Sequence, residues 1–119
     1  LNGKNNLKQE FIARENNMGI ISTNIKEIKN NDGIDSVLSI SLIDNNKKII
    51  SESNFDVNTM VENNFYQFGF PIQIDSKDKK YTVEYKIKPE TSTDEVKISE
   101  RENKFITVYF LNKNELKLL

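Results

Sequence analysis

Three tyrosines carry the residue types that could hold a sugar. Tyr66, Tyr85 and Tyr109 are flanked by Asn64, Glu84 and Lys86. An exposed aromatic face stacks on the apolar face of a pyranose ring, and amide, carboxylate and ammonium groups nearby then take its hydroxyls. The same residues also read as structure. Alternation with polar neighbours, clearest at Glu84-Tyr85-Lys86, is what rings in a core or at its rim show on a strand, with their hydroxyls reaching water. The chain has no tryptophan, so the largest stacking platform is missing.

A second constellation is the loop Asn30-Asn31-Asp32-Gly33-Ile34-Asp35. Calcium needs several oxygen ligands in one small loop, and Asn30, Asp32 and Asp35 supply them beside a permissive glycine. The loop lacks the terminal glutamate of a calcium-hand motif, and turns of this composition are common without metal. Calcium is the one cofactor this reading leaves open. Asp44-Asn45-Asn46 offers a weaker version of the same set.

Other chemistries are removed by composition. The 119 residues contain no cysteine and no histidine. That excludes disulfides, zinc-thiolate sites and the Ser-His-Asp and Cys-His catalytic units. The four glycines, at positions 3, 19, 33 and 69, form no phosphate loop or dinucleotide fingerprint. Glu84, Glu90, Asp94, Glu95, Glu100 and Glu102 are material for glycoside hydrolysis, but no acid is set within an apolar run where burial would raise its pKa. The chain is therefore expected not to be an enzyme. Seventeen basic residues balance eighteen acidic ones, without the basic excess a nucleic-acid binder uses to neutralise phosphates. No apolar run approaches the roughly 20 residues of a membrane helix, so this segment is not expected to insert into a bilayer.

The elements that must position these residues are strands. Phe11 and Ala13 open a first one, Met18 to Ile28 a second, and Val37 to Ile43 a third with Leu38, Ile40 and Leu42 on one face. Asp44 to Lys47 turns the chain into a fourth from Lys48 to Glu52, a hairpin. Asp56 to Asn63 is the one candidate helix: Asp56 can cap it, and Val57, Met60 and Val61 fall at helical spacing. It has room for one or two turns. Tyr66, Phe68 and Phe70 share a face of the next strand, which Pro71 ends or confines to a sheet edge. Tyr81, Val83, Tyr85 and Ile87 alternate with Thr82, Glu84 and Lys86. Val96 with Ile98, and Phe105 to Leu111, complete about eight strands, while Leu116, Leu118 and Leu119 either pair at the end or fray. Short strands with turns every 8–12 residues predict an all-β, antiparallel two-sheet sandwich built as one domain over residues 1–119.

Particular stretches resemble a known pattern. Asn63-Asn64-Phe65-Tyr66-Gln67-Phe68-Gly69-Phe70-Pro71-Ile72, then Asp75-Ser76-Lys77-Asp78-Lys79-Lys80-Tyr81-Thr82-Val83, are similar to galactose-binding-like jelly-roll domains. Such domains are found in bacterial cell-envelope membrane proteins and beside membrane glycosyltransferases. Gln9-Glu10-Phe11 with Asn17-Met18-Gly19-Ile20 resembles the opening of the same pattern, and the likeness runs to about Ile98. The resemblance implies a jelly-roll sandwich with Phe65, Phe68 and Phe70 as core aromatics. It also implies an extracytoplasmic, cell-surface setting within a larger membrane-attached protein. The expected partner is then a cell-envelope glycan or another domain of the parent chain, bound without catalysis. The alternative is a structural spacer or protein-interaction domain with no small ligand. Leu1 is not an initiator methionine and no signal region follows it, which fits a segment of a longer chain.

Overall fold

The computed structural model describes residues 1–31, 35–101 and 105–111. These residues form eight strands: β1 Leu7–Ile12, β2 Met18–Lys29, β3 Val37–Asp44, β4 Ile49–Asp56, β5 Asn64–Gln73, β6 Lys80–Lys88, β7 Glu95–Ile98 and β8 Ile106–Phe110. The candidate helix contracts to a single 3₁₀ turn, Val57–Thr59, capped by Asp56, whose carboxylate accepts from the Asn58 N–H at 2.9 Å. The residues beyond Leu111, including Leu116, Leu118 and Leu119, lie outside the described ones.

The strands make two sheets. One has the order β1-β6-β3-β4. In the other β2 is central, pairing with β5 on one side and with β7 and β8 on the other. Every pairing is antiparallel. The long β2 accommodates two partners on one edge because β8 covers Met18 to Thr23 and β7 covers Ile25 to Lys29. The links β1–β2, β2–β3, β4–β5, β5–β6 and β6–β7 pass from one sheet to the other. That wrapping builds the antiparallel two-sheet sandwich, and β3 and β4 form a simple hairpin within one sheet.

Alternation decides which residues fill the space between the sheets. Leu38, Ile40 and Leu42 of β3 and Tyr81, Val83, Tyr85 and Ile87 of β6 face inward from one sheet. Ile21 and Ile25 of β2, Phe68 and Phe70 of β5, and Val96 and Ile98 of β7 meet them from the other. Burying each large aliphatic chain is worth about 1.5–3 kcal/mol relative to exposure. One polar contact crosses this layer: the Thr23 and Tyr85 hydroxyls lie 2.6 Å apart.

Turn chemistry sets the strand ends. In the β3–β4 hairpin Lys47 is left-handed at φ 64°, and the Asp44 carboxylate accepts from the N–H groups of Asn46 at 2.8 Å and Lys48 at 2.9 Å. The three-residue loop with a left-handed last residue is closed by the Asp44–Lys48 pair, and the register shift between Leu42 and Ile43 lies beyond it, where Ile50 is an extra residue on β4. Pro71 lies in edge strand β5, beside the irregularity where β5 slips against β2 between Met18 and Ile20. Ser76 is fully buried: its hydroxyl donates to the Glu15 carbonyl at 2.7 Å and accepts from the Met18 N–H at 3.3 Å, clamping two loops together. Gly3 passes so close to the β6–β7 loop that a Cβ there would sit 2.6 Å from the Glu90 carbonyl oxygen.

Candidate functional site

The structure distributes the six sugar-site candidates over three places. Tyr85 is wholly buried, its hydroxyl committed to Thr23. Burial pushes its phenol well above the usual tyrosine range, opposed by that hydrogen bond. Tyr66 also faces inward, half-buried, with its ring edge-on to Phe55 at 5.4 Å and its hydroxyl accepting from the Val61 N–H at 2.6 Å. Asn64 is exposed at the start of β5.

Glu84 and Lys86 stand on the outer face of the β1-β6-β3-β4 sheet. There Glu84 pairs with Lys8 and with Lys86, both at 3.5 Å. The same face carries Lys88 on Glu52 at 2.9 Å and Lys80 on Glu10 at 3.1 Å. The Ser39 hydroxyl and the Lys88 ammonium hold the Glu52 carboxyl below its ordinary range. These charges answer one another in a solvated ladder and leave no aromatic platform among them.

Tyr109 is different. It lies on the outer face of the opposite sheet with 45% of its surface exposed. Phe65 is 65% exposed on the same face. The register explains why: Phe65 pairs with Asn24 and Tyr109 with Ile20, and both partners alternate with the inward Ile21, Thr23 and Ile25. Phe65 was expected in the core beside Phe68 and Phe70. It points the other way because Tyr66, Phe68 and Phe70 occupy the inward parity of β5. That parity is present in the sequence and is the signal that finds Phe65.

Between the two rings lies a hollow of about 440 Å³. Phe65, Tyr109, Phe105 and Ile106 line it together with Ser22, Asn24, Ser99, Arg101 and Thr107. Ser22 and Thr107 are cross-strand partners on β2 and β8. Ser99 is held by donation of its N–H to the Asn24 carbonyl at 2.8 Å, which brings the chain and Arg101 over the same edge of β2. Four residues along β2 and two strand spacings across separate the two rings, about 13 Å and about 10 Å in the sheet plane. On β5, Gln67 opposite Ser22 and Gly69 opposite Ile20 continue the face that Phe65 begins.

One atom in these walls lacks a partner. Asn24 Oδ1 is buried, and among the described residues nothing donates to it. An unsatisfied buried acceptor costs about 1–3 kcal/mol, so the amide gains from any donor that lets it turn outward.

Two other hollows differ in kind. One of about 310 Å³ runs between the edges of β1 and β8 and is lined mainly by Phe11, Ile12, Ile106, Val108 and Phe110. The other, about 480 Å³, lies over the Asp44–Asn46 turn, with Tyr81 as its one aromatic neighbour. Tyr81 is buried.

Of the calcium candidates, Asp32 lies outside the described residues. Asp35 accepts from the Asn58 amide at 2.8 Å, and Asn30 contacts the same amide from its other end. The neighbouring Asp94, fully buried, accepts from the Ser36 hydroxyl at 2.5 Å and from the Asn31 N–H at 2.7 Å. The Asp35 and Asp94 carboxylates thus have protein donors. Among the described residues no group of three or more acidic side chains gathers as a metal site, and no helix is long and apolar enough to cross a membrane. Compared with models of protein families, with curated proteins and with solved structures, the chain gives no match.

Proposed function

We propose that this domain is a non-catalytic carbohydrate-binding module that receives an extended saccharide on the outer face of the β5-β2-β8 sheet. The observation that carries the reading is the exposure of Phe65 and Tyr109 on one sheet face, beside a hollow whose walls mix serines, a threonine and an amide with Arg101, Phe105 and Ile106. Exposed rings set singly are ordinary. Two rings framing serines, a threonine and an amide match the amphipathic character of sugars, whose C–H faces stack while their hydroxyls seek donors and acceptors.

The rings are too far apart to serve one pyranose, so the ligand is an oligosaccharide lying diagonally over β2. Phe65 and Tyr109 stack its end residues, and Ser22, Asn24, Ser99 and Thr107 meet the hydroxyls between. The backbone under the site is a three-strand ladder, so little order has to be imposed on binding. A shallow site of this kind binds with dissociation constants on the order of 1 mM, about −4 kcal/mol. The likeness to galactose-binding-like domains of the bacterial cell envelope supplies the setting: a cell-surface accessory domain of a membrane-attached protein.

The test is an amide NMR titration of the domain with a panel of cell-envelope oligosaccharides. Shifts confined to β5, β2 and β8 that vanish in Phe65→Ala and Tyr109→Ala support the reading. Spectra that stay flat across the panel overturn it and favour the spacer or interaction domain.

A further inference from the structure

We infer that the saccharide is acidic, with a uronate-type carboxylate seated on Arg101. The inference rests on the sugar-binding reading of the same hollow and names its ligand class.

Cations on both sheets have acid partners, Lys29 of β2 with Glu95 of β7 at 3.9 Å among them. On the β1-β6-β3-β4 side the cations Lys8, Lys80, Lys86 and Lys88 each have an acid within 3.5 Å. On the β5-β2-β8 side Arg101 lines the hollow and, among the described residues, has no ion-pair partner. No Asp or Glu is among the described residues of the hollow's wall. A guanidinium that lines a hollow with hydroxyls, an amide and apolar rings, and that has no acid beside it among the described residues, is complementary to an anion.

The form of the cation narrows the anion. A guanidinium presents two parallel N–H donors that match the two oxygens of a carboxylate. One cation balances one negative charge, which suits a uronate better than a doubly charged phosphate. Arg101 and Ser99 lie along the β2 edge beside Asn24, so the carboxylate projects from a ring between the two stacking positions.

The experiment titrates the domain with trigalacturonic acid and with its methyl ester, which keeps ring and linkage but removes the charge. The unsubstituted domain is compared with Arg101→Gln and Arg101→Lys, each checked for an unchanged amide spectrum. The expected result is about tenfold tighter binding of the acid than of the ester at low salt, shrinking as salt rises. In Arg101→Gln the acid falls to the affinity of the ester, and Arg101→Lys lies between them because it keeps the charge and loses the fork.

Equal binding of acid and ester on this face, unmoved by Arg101→Gln, overturns the inference while the carbohydrate reading stands. An acid preference that maps to other residues and survives Arg101→Gln overturns it too. Absence of shifts with either ligand, together with flat spectra across the neutral panel, brings down both readings.

Discussion

Tyr85 of β6 and Thr23 of β2 meet hydroxyl to hydroxyl at 2.6 Å, and neither side chain has measurable exposure. The contact ties the two sheets at the middle of the core, where water cannot replace a lost partner. Tyr85→Phe strands the Thr23 hydroxyl and is expected to cost about 1–2 kcal/mol in urea unfolding. Adding Thr23→Val removes the stranded group. The double variant should therefore lose less than the sum of the two single changes, and additive losses would show that the contact contributes no coupling.

The same tyrosine gives the fold an alkaline limit. Burial raises its phenol in the folded state, whereas in the unfolded chain it ionises near pH 10. Its contribution is fully present below about pH 10 and is lost as pH climbs above that value. Burial also raises Tyr81, with the Asp44 charge adding to it, so a smaller slope persists in Tyr85→Phe. Stability measured across the alkaline range should fall less steeply in Tyr85→Phe than in the unsubstituted domain.

At the acid end Glu52 acts with the opposite sign. The Ser39 hydroxyl and then Lys88 lower its folded pKa, so its contribution is present above the ordinary glutamate range and lost as pH falls through the folded value. Its side chain is 35% exposed, and solvent screening keeps the effect small. Glu52→Gln should flatten the acid limb of the stability profile. Ser39→Ala, which removes the largest cause, should reproduce most of that flattening.

Asp94 is a buried carboxylate whose removal leaves the Ser36 hydroxyl and the Asn31 N–H without their acceptor. Asp94→Ala is expected to destabilise by about 3 kcal/mol in denaturant melts. A loss below about 1 kcal/mol would mean that water or a neighbour replaces the carboxylate.

Phe65 and Phe68 occupy the same strand on opposite faces, which separates binding from stability. Phe68, 3% exposed, should cost about 3–5 kcal/mol on replacement by alanine. Phe65→Ala should change stability by about 0.5 kcal/mol or less while abolishing saccharide shifts. Thermal melts beside NMR titrations read both effects from the same two proteins.

By itself the sequence determined the fold class, the inward face of most strands, and the hairpin at Asp44–Lys47. Period-two alternation and turn residues are local signals, legible one segment at a time. Leu38, Ile40 and Leu42, and Tyr81, Val83, Tyr85 and Ile87, face where their alternation puts them. The extent of the 3₁₀ turn was less legible, because capping and helical spacing at Asp56–Val61 do not say when β5 will claim the chain. Only the tertiary structure decided the candidate site. Strand parity makes Phe65 an outward residue, but nothing local brings it to the same face as Tyr109, 44 positions away, or sets Arg101 beside Asn24. Nor does local pattern separate Tyr85, closed in by both sheets, from Tyr109, covered by one. Those relations depend on which strand lies beside β2 and in what register, a property of the paired sheets and not of any single stretch of chain.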